Sequence, residues 1–315
     1  MKNRIIAAIA ATALLGACSS TPPESFASAD GGDHVVRLVQ QPWEDLIVEN
    51  QIVSDILGAL GYQTQIKDLS VPLGAQALAT GQADAYLGNW WPSQESTYKK
   101  YLDSGDVRVL GSMVTGTRYA PAVPDYVAQR YNIRSLADLS AHGADFGQKI
   151  LGIEPGTPGN QYILDAIQKD VYGLGTWQLV ESSTPAMLAE VDRLTATRQP
   201  VVFLAWSPHW MNVKWKLVYL EDPQHIWPGA GEIRVLTRKA LADDDPNVTR
   251  FLSQIKVDTD TASTWIDQYG QQKMPAEEIA KDWLRTNQDV VATWLDGVKS
   301  VDGEAAAAVV KSKLG

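Results

Sequence analysis

Four aromatic residues stand where the pattern of the chain predicts strand ends or a crossing between lobes. They are Trp43 in "QPWED", Trp90 in "GNWWP", Tyr119 in "TRYAPAVP" and Trp206 in "LAWSPHW". Any one of these rings, taken alone, reads as a loop residue folded back onto the core. Taken together they point to a concave site, because a sheet has no packing need for large rings repeatedly beyond its strand ends, whereas a ligand pocket there does. Several electron-rich ring faces in an acidic protein suit a cation that cannot donate hydrogen bonds. A quaternary ammonium is such a cation: methyl groups cover its charge, so carboxylates cannot hydrogen-bond it, while ring faces can approach and desolvate it. At about 1 to 2 kcal/mol per desolvated contact, the four rings together supply roughly 4 to 8 kcal/mol. That reaches the range of micromolar binding, about −8 kcal/mol.

Asp45 follows Trp43 by two residues, at the expected start of the first helix. A helix N-terminus carries partial positive charge, which disfavours a cation. A carboxylate there offsets it and accepts a hydrogen bond from a ligand hydroxyl, a duty compatible with ordinary capping. Trp91 is expected to pack at the cleft rim or under the loop. Other chemistry finds little support. His34, His142, His209 and His225 show no metal-ligand spacing and none pairs with a serine elbow, so no metal or cofactor is expected. The run "GIEPGTPGN" lacks the Gly-Lys-Ser/Thr ending of a phosphate loop and reads as a strand-to-helix turn. Glu44 and Asp45, adjacent on one turn, do not flank a glycosidic bond from opposite sides. This counts against an exported carbohydrate-active enzyme that stacks sugars on the tryptophans.

The elements that must position these residues alternate. "HVVRLV" reads as strand, and Val53, Ile56, Leu57 and Leu60 fall at helical spacing up to Gly61, a C-cap. Then come "YQTQIKDL" as strand, "PLGAQALATG" as helix, "ADAYLGN" as strand and "SQESTYKKYLDSG" as helix. A second alternation includes "KILGIEPGTPGNQYILDAI" and "WQLVESSTPAMLAEVDRL", where Ser183 or Thr184 caps and Pro185 opens the helix. Such alternation predicts an α/β fold of mainly parallel sheets flanked by helices, with ligand beyond the carboxyl ends of the strands. From about residue 250 the chain turns helical, with Trp265, Trp283 and Trp294 on apolar faces; these and Trp177 read as core.

The N-terminus reads as an export signal. Lys2 and Arg4 precede an apolar run from Ile5 to Leu15, too short to span a bilayer as a helix. It ends in Leu15-Gly16-Ala17-Cys18, the pattern of a bacterial lipobox, in which the Cys18 thiol accepts the lipid. Residues 1–17 are the expected signal and 18–33 a flexible tether rich in Ser, Pro, Ala and Gly. Cys18 is the single cysteine, so no disulfides stabilise the fold, and the 45% apolar composition must supply a packed core. The formal net charge of −10 argues against a nucleic-acid partner.

The motifs "SVPLGAQALATGQADAYLGNWWPS", "GIEPGTPGN", "VESSTPAML" and "PVVFLAWSPHWMN" resemble the substrate-binding proteins of quaternary-ammonium ABC importers, the glycine betaine and choline group. The likeness runs from about Val35 to about Gly297 and is strongest to the choline-binding members. It implies a two-lobed type II periplasmic-binding-protein fold that closes on its ligand in the inter-lobe cleft. It also implies a monomer, held at the periplasmic face of the envelope, that hands its ligand to an ABC permease and performs no catalysis. Lobe 1 would hold residues 34–115 and 213–315 and lobe 2 residues 116–212, with crossings near Gly116 and Val213. The box of the choline binders matches Trp43, Trp90, Tyr119 and Trp206, and the aspartate that takes the choline hydroxyl matches Asp45. Where those proteins carry an asparagine after "GIEPG", this chain has Thr157, which offers fewer donors. The resemblance therefore implies choline first, with glycine betaine or carnitine as alternatives. Arg118, beside Tyr119, is expected at the surface; directed into the cleft it would answer a carboxylate.

Overall fold

The run Val35–Gln40 is rich in β-branched residues and forms β1, with Val36, Leu38 and Val39 buried, in a computed structural model describing residues 34–229 and 231–315. The expected leader, tether and lipidated Cys18 lie outside the described residues. After β1 come α1 (Glu44–Ala59), β2 (Gln63–Asp68), α2 (Val71–Ala79), β3 (Ala85–Trp91), α3 (Glu95–Asp103) and the long β4 (Val107–Pro124). Then follow α4 (Asp125–Tyr131), β5 (Lys149–Leu151), α5 (Pro158–Gln168), β6 (Gln178–Val180), α6 (Thr184–Ala196), β7 (Phe203–Ser207), α7 (Met211–Trp215), β8 (Leu217–Tyr219) and β9 (Gly231–Arg238). Helices α8 (Leu241–Asp244), α9 (Pro246–Gln254), α10 (Thr259–Gly270), α11 (Ala276–Thr286), α12 (Gln288–Trp294) and α13 (Ala306–Leu314) complete the chain.

Local punctuation sets several of these boundaries. Helix α1 buries Leu46, Val53, Ile56 and Leu57 and stops before Gly61, whose φ of 96° suits a residue without a side chain. Ser183 caps α6 by accepting the Ala186 N–H at 3.3 Å, with Pro185 in the first turn. Helix α1 packs against α10 and α11, so the C-terminal helices back the first half of the molecule. There Trp265 and Trp294 are buried, and Trp283, half-buried, stacks on Trp294 at 5.2 Å; Trp177 is buried in the other half. All four pack as the sequence predicts. No described helix is long and apolar enough to cross a membrane.

Strands are ordered β2-β1-β3-β9-β4-β7-β5-β6, with β8 also on β4. The parallel ladders expected from the alternation are present on both flanks: β1 with β2 and β3, and β5 with β6 and β7. They frame an antiparallel centre in which β9 joins β3 to β4 and β4 joins β7. Strand β4 runs through both halves, pairing with β9 up to Thr117 and with β7 from Arg118, and Gly116 sits at the changeover with φ 75°.

Val213, near which the return crossing is expected, lies in α7, and β8 after it pairs with Ala122–Pro124 of β4. The short run "KLVYL" gains its strand character from the free side of β4, a partner distant in sequence.

Candidate functional site

The first half contributes its site residues from two strand-to-helix junctions. Trp43 is the N-cap residue of α1, and Asp45 stands in the first helical turn. Trp90 does not lie in a turn: it is the penultimate residue of β3, paired with Ile233 of β9. Trp206 is likewise penultimate in β7, and the register places it directly opposite Tyr119 of β4. Both strands thus run farther than the local pattern predicts, because long-range ladders carry them through the tryptophans. Thr157 is the N-cap of α5, without a side-chain cap hydrogen bond.

Trp43, Asp45, Trp90, Tyr119, Thr157 and Trp206 all line one pocket of about 420 Å³. Tyr119 is central to it. Trp90, from the first half, meets its ring at 6.2 Å and 64°, and Trp206, from the second, at 6.0 Å and 84°. These edge-to-face contacts leave ring faces free to line the cavity. Behind Tyr119 stands Trp227, at 4.9 Å and 87°. Sequence reasoning passed over Trp227, although "WPG" repeats the Trp-Pro pairing of "NWWP".

The pocket carries one charged lining residue, Asp45. Burial pushes its carboxyl up to about 6, and the neighbouring Glu44 charge adds to the rise. The N–H groups of Leu46 and Asp45 and the Trp90 side chain oppose it. One helical turn on, Glu49 is also buried, and desolvation together with the Asp45 charge raises it well above the usual carboxylate range. Two lining hydroxyls, Tyr119 Oη and Thr157 Oγ1, are buried without a protein partner among the described residues. A buried hydroxyl left unpaired is costly, so a ligand with a hydrogen-bonding group has partners waiting.

Arg118 is not among the lining residues. Its guanidinium lies 4.2 Å from the Tyr219 ring centroid, as strand alternation dictates for the neighbour of an inward-facing Tyr119. Trp91 also lies outside the lining. It packs beneath the Arg234 guanidinium, 3.8 Å from its ring centroid, and Arg234 in turn donates to Asn89 at 3.0 Å. Trp91 therefore holds β3 against β9 while Trp90 faces the cavity. Among the described residues no group of His, Cys, Asp and Glu is arranged to hold a metal ion.

Gly159, in the first turn of α5, explains how Tyr119 fits. A Cβ there would overlap the Tyr119 hydroxyl. The backbone of Gly159 is not in the left-handed region, so alanine suits the helix itself. Gly159→Ala is accordingly expected to displace the Tyr119 ring and to weaken binding of a molecule in this pocket about tenfold. The unfolding midpoint of the unliganded protein should change little, and a titration beside a thermal melt checks both.

A family model described as "Substrate binding domain of ABC-type glycine betaine transport system" matches residues 34–286. Among curated proteins, the glycine betaine/carnitine transport binding protein GbuC of Listeria monocytogenes is 33% identical over 51% of this chain; the match spans 54% of that relative, about half its length. Among solved structures, an ABC-transporter choline binding protein in complex with choline superposes with TM-score 0.87 at 31% identity, covering 90% of this chain and 99% of the other. A choline binding protein in an unliganded semi-closed conformation gives 0.81 at 32% identity, with the same shares covered. Lactococcal OpuAC complexed with glycine betaine gives 0.72 at 28% identity over 82% of this chain and 98% of that one.

Proposed function

The chain belongs to the family of substrate-binding domains of ABC-type glycine betaine transport systems, and from that premise we propose that it captures choline in the aromatic cage and delivers it to an ABC permease. Its fold is the type II periplasmic-binding-protein fold, and the work of its family is transport rather than catalysis. One observation carries the ligand assignment: four rings surround a pocket whose single charged lining residue is a carboxylate. The rings take the trimethylammonium group, and Asp45 with Thr157 takes the hydroxyl end. The likeness to two structures of a choline binding protein supports the same reading.

Two lobes would then close on the ligand, one of residues 34–115 with 231–315 and the other of 116–221, so that each contributes cage walls. Closure completes the cage and lets the permease tell loaded from empty. The protein would work as a monomer on the periplasmic side, held to a membrane by a lipid on Cys18.

The second reading keeps the cage and places glycine betaine or carnitine in it, as the family description and GbuC suggest. A carboxylate-bearing ligand has no Arg, Lys or His among the lining residues and meets Asp45 instead. Tryptophan-fluorescence titration with choline, acetylcholine, glycine betaine and carnitine separates the two. Saturable choline binding near micromolar or tighter is expected; preference for a betaine would overturn the use of Asp45, and silence from all four would make the rings packing groups.

A further inference from the structure

Two tryptophan-to-glutamate hydrogen bonds cross the cleft in opposite directions. Trp43 of the first half donates its Nε1–H to Glu154 Oε2 of the second at 3.1 Å, and Trp210 of the second donates to Glu44 Oε2 of the first at 2.7 Å. Neither carboxylate lines the pocket. Each is nonetheless bound to the cage through the chain: Glu44 lies between Trp43 and Asp45, Glu154 three residues before Thr157, and Trp210 four residues after Trp206.

Both carboxylates are held for the purpose. Glu154 accepts the Thr184 backbone N–H at 2.6 Å and the Thr184 hydroxyl at 2.9 Å, which fixes it at the start of α6. Glu44 Oε2 also faces His209 Nε2 at 3.2 Å. His209 accepts the Met211 N–H on Nδ1, which leaves the ring proton on the side of Glu44. Gly270, at the end of α10, closes the other side so tightly that a Cβ would overlap the Glu44 carboxylate.

We infer that Glu44 and Glu154 are positioning residues, a reciprocal pair of latches that hold the cleft shut around the ligand, set its dwell time and, through Glu154, orient the Trp43 ring. This rests on the reading that a ligand is enclosed between the two halves. Opening the cleft breaks both bonds and frees Trp43 to turn out of the cage. Hydrogen bonds to ionised groups are the strong ones, so loss of one latch is expected to speed ligand release by about tenfold and loss of both by about 100-fold. Association should change little, since affinity changes within one site fall mainly on dissociation.

The test uses the full chain with its single cysteine removed (Cys18→Ser) and dyes attached at Leu73→Cys and Val213→Cys, exposed positions on α2 and α7 of opposite halves. Single-molecule energy transfer reads the closed fraction with and without choline, and stopped-flow fluorescence reads its release. Glu44→Ala and Glu154→Ala should each lower the closed fraction and release choline about tenfold faster, and Glu44→Gln and Glu154→Gln, which keep a neutral and weaker acceptor, should recover about half of the loss on a logarithmic scale. Trp210→Phe removes the donor while leaving Glu44 in place, and it covers the case in which Glu44→Ala fails to fold. Unchanged closed fraction and release in these variants would overturn the latch, as would a lowered unliganded melting temperature with the distance distribution intact. If the parent protein ignores choline, the ligand assignment fails, yet the closed fraction still decides the latch.

Discussion

Trp206→Ala is expected to weaken choline binding about 100-fold. The ring contributes a desolvated cation–π face of about 2 kcal/mol, and its removal leaves a cavity that admits water beside the cation. Together these cost about 3 kcal/mol, at about 1.4 kcal/mol per tenfold. The position magnifies the loss. Trp206 is the cross-strand neighbour of Tyr119 and braces that ring at 6.0 Å, so the central wall loosens as well. Trp206→Phe retains an aromatic face of smaller area and should lose only about tenfold. Trp90→Ala, acting from the opposite half, should match Trp206→Ala, since it meets the same Tyr119 ring at 6.2 Å. Both tryptophans are buried, so titrations belong well below the melting temperature of each variant, with that temperature recorded. Wild-type affinity in both alanine variants would remove the cage from the account of this protein.

The local part of the architecture was legible because local signals encode it. Gly61 ends α1, Ser183 and Pro185 open α6, a β-branched run marks β1, and an apolar run marks β7. What escaped reading depends on partners far along the chain. Strand β3 extends through Trp90 and Trp91 because β9, more than 140 residues away, supplies the ladder. β8 exists because one edge of β4 is free to pair with it. The four rings and Asp45 were proposed from residue type and position, since a cage needs large rings and one carboxylate at element ends, and Thr157 from the family resemblance; all six line one pocket. Glu154 and Trp210 were passed over, and Glu44 and His209 weighed only for catalytic or metal chemistry, for a physical reason. Their meaning lies in hydrogen bonds between halves, which no spacing along either half reveals. Trp90 and Trp91 divide the work of a doublet that the sequence presents as alike: alternation along β3 turns one ring to the cavity and the other to Arg234.

The second large effect is one of pH, and its sign reports the ligand class. Burial raises the Asp45 carboxyl to about 6, so it gains a proton as the pH falls through that value. A trimethylammonium ligand favours the ionised form, because only the charged carboxylate balances the cation and accepts the hydroxyl. Choline affinity is therefore expected to be level above pH 6 and to fall by up to tenfold for each unit below it, about 100-fold by pH 4. Glycine betaine reverses the sign: its carboxylate is repelled by ionised Asp45 and accepted by the protonated acid, so its affinity rises as the pH falls through 6. Affinity reads this more cleanly than stability does. With a folded pKa above the unfolded value, Asp45 makes the unliganded fold less stable as pH rises from 3.8 towards 6, and Glu49 acts in the same direction. His209 acts oppositely: burial lowers its pKa, with Glu44 opposing, so its contribution is present above the unfolded value and lost as pH falls below it. Asp45→Asn isolates the effect. In that variant choline should bind with the weak, acid-limit affinity at every pH from 4 to 8, and betaine should lose its pH dependence at the stronger end of its range. A choline profile that keeps its step near pH 6 in Asp45→Asn would assign the step to another group and remove Asp45 from the hydroxyl end of the site.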